Sequence, residues 1–176
     1  MKKILLVAGA ALALAGCGEK GDFEKAINAK IGQDKYCFSL DNNNTSFPIR
    51  LAKPRLDSTG TGTNSVILDG FVEQGMMVFE QGYDSNVLGI TEEGKKAKVW
   101  STTDGACVGR RAVDEIKEWT EPGNGNQKVV RVTYTWKLVD VPGWIDKKAF
   151  TSVKGMNEPA DGAMNLVKTS NGWRAN

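Results

Sequence analysis

The spacing of apolar and polar positions changes character several times along this chain, and each change predicts an element. Residues 4–14 contain no polar side chain. Residues 22–31 place Phe23, Ala26, Ile27 and Ile31 at helical spacing, and Gly32 follows as a stop. Polar, turn-forming stretches occupy 41–45 and 58–64. From Asn64, a potential cap, Ile67, Leu68, Phe71 and Val72 predict a second amphipathic helix, with Gly75 placed to end it. Residues 76–80 and 87–91 flank the turn 82–86 and predict a hairpin. Thr91 followed by Glu92 and Glu93 predicts a new helical turn, because acids suit the positive end of a helix dipole.

The second half is dominated by strands. Val130, Val132, Tyr134, Trp136 and Leu138 alternate with Arg131, Thr133, Thr135 and Lys137, the period of a strand with one wet face. Residues 108–119 are its expected antiparallel partner through the turn 121–126. A short helix is expected at 147–153, then a hairpin over 164–174 turning at Asn171-Gly172. The predicted fold class is therefore α+β. The expected divisions are 1–16, a removable leader; 17–63, an N-terminal helix and connecting segment; 64–100, a small helix-and-hairpin part; and 101–176, a curved antiparallel sheet.

The leader has a recognisable anatomy. Lys2 and Lys3 precede the apolar run, which is far short of the ~20 residues a membrane-crossing helix needs, and small residues then lead into a cysteine. Leu14-Ala15-Gly16-Cys17 resembles the lipobox of bacterial lipoproteins. The resemblance implies cleavage before Cys17, lipid on its thiol, and a bilayer as the first partner. Gly18 stands where inner-membrane retention would call for aspartate, so it further implies the periplasmic face of the outer membrane in a diderm source, or the outer cell surface in a monoderm.

Charge and cysteine usage narrow the picture. The chain has 23 basic and 21 acidic residues, but Lys2 and Lys3 leave with the leader, so the mature chain is formally neutral. Its three cysteines leave Cys37 and Cys107 once Cys17 carries lipid. An even pair in an oxidising compartment is expected to form a disulfide; two buried thiols, or a reactive one, are the alternative.

Residues 68–77, the turn after them and 89–96 together resemble a winged-helix module, with the helix as recognition helix and the hairpin as wing. The charges argue against nucleic acid. Between Arg55 and Lys95 there is no basic residue, while Asp57, Asp69, Glu73, Glu80, Asp84, Glu92 and Glu93 are acidic. Phosphate binding draws its affinity from cations, and this segment would repel a phosphate backbone. Residues 95–176 carry 14 basic and nine acidic groups, so the chain is electrically lopsided. Asp69, Glu73, Glu80 and Asp84 are the candidate interaction face, expected to dock a basic envelope protein.

Catalytic signals are sparse. The chain has no histidine, which removes the usual neutral-pH base and the commonest metal ligand. Neither Gly-x-Ser-x-Gly nor Ser-x-x-Lys occurs, and Gly60-Thr61-Gly62 lacks the rest of a phosphate loop. No cofactor or metal is expected. The leading expectation is a non-catalytic interaction or accessory factor. A second is a binding protein for a lipid, glycan or other small ligand, with Trp119, Trp136 and Trp144, joined by Trp173 in the same strand-rich half, as candidate groove aromatics. A third is a hydrolase using the Asp69 and Glu73 carboxylates, four residues apart on one helix face.

Overall fold

A computed structural model describes residues 15–41, 43–52, 63–120 and 128–176. The apolar run 4–14, most of the polar connection 58–64 and the turn 121–126 lie outside the described residues.

Among the described residues helix α1 (Ala15–Ile31) comes first, followed by β1 (Lys35–Phe38), β2 (Ile49–Ala52), α2 (Thr63–Glu73), β3 (Met77–Gln81), β4 (Ser85–Ile90), α3 (Glu92–Ala97), β5 (Ala106–Trp119), β6 (Val129–Val139), a 3-10 turn (Lys147–Phe150), β7 (Ala160–Thr169) and β8 (Gly172–Ala175). Five strands form one antiparallel sheet in the order β1-β5-β6-β7-β8, and three form another, β2-β4-β3. The α+β class holds.

The long sheet curls around α1. Valines 130 and 132 with Tyr134 on β6, Val113 and Ile116 on β5 and Leu166 on β7 form a buried face against Phe23, Ala26, Ile27 and Ile31. Two irregularities in the β5–β6 register, after Val113 and after Ile116, supply the kind of bulge that bends a strand. The helix begins seven residues before the apolar spacing indicated, because its first turns carry Gly18 to Asp22 and contribute no buried residue to that spacing. Phe23 is the first of its buried side chains, only 1% exposed, with its ring edge-on to Trp119 and Trp173 at 5.5 and 5.2 Å. Phe23→Ala is expected to cost about 3–5 kcal/mol, read as a lower urea midpoint at unchanged slope. A loss below about 1 kcal/mol would show that α1 contributes little to the fold.

A second cluster fills the other end of the sheet, where α2, the three-stranded sheet and the 3-10 turn meet β1, the start of β5 and the end of β6. Helix α2 buries Ile67, Leu68 and Phe71 as its spacing requires. Gly70 sits where a β-carbon would fall 2.3 Å from the Phe150 ring, so glycine permits the close approach of helix and turn. At its end Gly75, at φ +74°, accompanies bonds from the Gly75 N–H to the Val72 carbonyl and from the Met76 N–H to the Phe71 carbonyl, a Schellman closure. Thr91 caps α3 by accepting the Gly94 N–H at 3.0 Å, as the Thr-Glu-Glu pattern anticipates.

Some expectations need correction. The winged-helix resemblance extends only to the order helix, then hairpin. The apolar stripe of α2 is answered on several sides, by β3, by β1 and by Phe150. The last hairpin turns at Ser170-Asn171, one residue earlier than expected, because Gly172 at φ +103° already opens β8. Strands β1 and β2, four residues each, had no sequence signal.

Candidate functional site

The attachment point is built into a packed element. Cys17 lies in the first turn of α1, and only Gly18, Glu19, Lys20, Gly21 and Asp22 separate it from Phe23 in the core. At 1.5 Å per helical residue this separation is about 9 Å. The helix is held on the sheet by its apolar stripe and by Asn28, whose Oδ1 accepts the Val113 N–H at 2.8 Å. The N-terminal end of α1 meets the end of the sheet formed by Trp119 and Trp173.

The acidic residues lie at the opposite end. Asp69 and Glu73 are both exposed and stand one helical turn apart on α2, so the structure brings these two together. Glu80 falls elsewhere. Met77 and Phe79 pack inward, so Val78 and Glu80 point from the outer face of the three-stranded sheet, with Val87 between Glu80 and Arg50 in the register. Asp84 is exposed in the hairpin turn. The four acids thus make one helix-borne pair and two separate positions. Gln74 escaped the sequence reading. Its Nε2 donates to the Trp144 carbonyl at 2.8 Å and its Oε1 accepts the Asp146 N–H at 3.1 Å, pinning the end of α2 to the loop before the 3-10 turn.

The candidate groove aromatics do not share a groove. Trp119 packs on Phe23 beside α1, whereas Trp144 packs on Phe71 of α2 at 5.9 Å, in the other cluster. Trp136 stands between the clusters, 6.0 Å from the Tyr36 ring. The Arg111 guanidinium lies 5.9 Å from both the Tyr36 and Trp136 rings. Alternation along β6 identified the face of Trp136; it carried no information about β1, from which Tyr36 comes.

Two of the depressions among the described residues are open to solvent, at ≈ 530 and ≈ 560 Å³. The first is formed by the loop 151–160, the second by β5, β6 and β7 around Tyr134 and Gly162. Burial raises the Tyr134 phenol above its ordinary value, and the Arg111 charge partly offsets this. Among the described residues no group of three or more cysteines and carboxylates is placed to hold a metal ion.

Cys37 and Cys107 are directly opposed across β1 and β5 and are joined by a disulfide spanning 70 residues of sequence. The bridge ties a four-residue edge strand to the longest strand of the sheet.

Among the described residues no helix is long and apolar enough to cross a membrane. Residues 1–17 match the family model of the prokaryotic membrane lipoprotein lipid attachment site. Comparisons with curated proteins and with solved structures returned no match. The attachment signal ending at Cys17, leading directly into a helix clamped on the sheet, makes this chain a bacterial lipoprotein held in the cell envelope by its lipid anchor.

Proposed function

We propose that this lipoprotein is a non-catalytic adaptor that holds a basic envelope protein away from its own membrane. The carrying observation is the opposition of anchor and acid. The lipid enters at one end of the curled sheet, beside Trp119, and the exposed Asp69–Glu73 pair stands on α2, packed at the other. Strand β5 has 14 residues and runs between these ends; at ~3.3 Å per residue it reaches up to about 43 Å. The α2 and hairpin segment carries no cation between Arg55 and Lys95, so its field attracts a positively charged surface. Gly18, in the position after the attachment cysteine, supports a place on the periplasmic face of an outer membrane.

The test is cross-linking in intact cells followed by mass spectrometry. Wild type is expected to capture one abundant envelope protein, and Asp69→Asn with Glu73→Gln to lose it. In extracts the pair is expected to weaken steeply as salt rises from about 0.05 to about 0.5 M, because exposed charges are screened over that range. Capture that survives the double substitution, or binding indifferent to salt, would remove the acidic face from the mechanism. A small molecule copurifying in place of any protein would favour ligand binding by the sheet.

A further inference from the structure

We infer that the anchor end of the folded body, bearing Trp119, Trp173, Lys20, Lys128, Lys168 and Arg174, rests on the bilayer that receives the lipid, with its cations among anionic headgroups. This rests on the lipid attachment and is independent of the partner reading above.

The geometry begins with the short tether. Lys20 is three residues beyond Cys17, about 5 Å along a helix axis, and its Nζ already lies 5.9 Å from the Trp119 ring centre. The ends of β6, β7 and β8 close around the same place. In the register Val129 faces Val167, which faces Arg174, and Lys168 faces Trp173. The Lys168 Nζ stands 5.0 Å from the Trp173 ring centre, and the Lys168 N–H donates to the Lys128 carbonyl at 2.9 Å. Trp119 and Trp173 are half-buried, while Val129 is 40% exposed. The Trp173 Nε1 is buried, so it is the outer parts of these rings, flanked by long cationic side chains whose ammonium groups reach phosphate, that suit the headgroup layer.

Among the described residues the cations at this end make no ion pair. The same end carries, among the described residues, Glu19, Asp22 and Glu118, against five cations, Arg131 included. The ion pairs of the described residues engage Lys35, Lys95, Lys96, Arg110, Lys117 and Lys137; none engages the five cations at the anchor end. A helical spacer of about 9 Å keeps the first buried residue within about one Debye length of the membrane surface. A flexible linker would let the body drift out of that field; the described residues of α1 leave none.

The experiment uses the full lipidated protein in vesicles of phosphatidylethanolamine with about a quarter phosphatidylglycerol. A nitroxide is attached at Val129→Cys or, as the remote control, at Tyr83→Cys, where the native side chain is 92% exposed. On transfer from detergent micelles to these vesicles, accessibility of the Val129 label to a water-soluble nickel chelate is expected to fall about fivefold or more, with the Tyr83 label unchanged. Replacing Lys20, Lys128, Lys168 and Arg174 with glutamine restores access at position 129, each cation contributing about fivefold to the docked population. Lys168→Gln alone gives the same direction if the combined variant fails to fold. Equal access at position 129 in micelles and vesicles, or protection that persists after the charges are removed, would overturn the inference. Neither outcome bears on the partner reading, since Asp69 and Glu73 are untouched.

Discussion

Reduction of the Cys37–Cys107 bridge is expected to lower the unfolding free energy by about 4 kcal/mol, the chain-entropy value for closing a loop of ~70 residues. For a domain whose whole stability is of order 5–15 kcal/mol, that is a large fraction. Strand β1 has four residues, pairs only with β5 and otherwise rests on α2, so the bridge adds a covalent hold to a short edge strand. The Lys35–Asp104 ion pair beside it, at 2.6 Å, is largely solvent-exposed and is worth at most about 1 kcal/mol. Without the bridge, Tyr36 and Phe38 loosen from Trp136 and Trp100, and the edge of β5 is uncovered. Urea titration with and without reductant, checked against Cys37→Ser with Cys107→Ser, reads the effect. A shift under about 1 kcal/mol would mean that packing alone secures β1.

The second large effect concerns location with the fold left intact. Cys17→Ala is expected to abolish lipid attachment, leaving unprocessed or mislocalised precursor in place of anchored mature protein. Each buried methylene contributes roughly 0.8 kcal/mol, so losing two or three acyl chains removes far more affinity than the exposed cations of the anchor end supply. The packed part of α1 begins at Phe23, so the variant produced without residues 1–16 should melt with the wild-type chain. Fractionation of cells answers the first point and a thermal melt the second. Normally processed, membrane-bound protein in this variant would refute lipid attachment at Cys17.

These two experiments separate features that differ in how openly the chain displays them. The attachment signal is local: a short motif after a charged and then apolar run, read without knowing any contact. The β6 alternation, the apolar stripe of α2, Gly75 at its end and the Thr91 cap are local too, and each is realised close to its expected place. The cysteine pair was legible by arithmetic, since two thiols in an oxidising compartment leave one intramolecular pairing. Strands β1 and β2 were not, because four residues are too few for a period of two to stand out. The start of α1 escaped because its first turns bury no described side chain and leave no stripe to detect.

The candidate surfaces show the same division. That Asp69 and Glu73 share a face follows from helical geometry alone, whereas the assignment of Glu80 to a different surface depends on which side of β3 the core lies. The three groove tryptophans looked equivalent in sequence and were separated by packing on α1, on Tyr36 and on α2. The sequence by itself determined the address, the α+β class, the main helices and strands and the imbalance of charge, because these depend on neighbours a few positions apart. Only the tertiary structure decided that the anchor and the acidic helix stand at opposite ends of one curled sheet, because strand pairing and helix docking are set by contacts between residues far apart along the chain, which local periodicity does not encode.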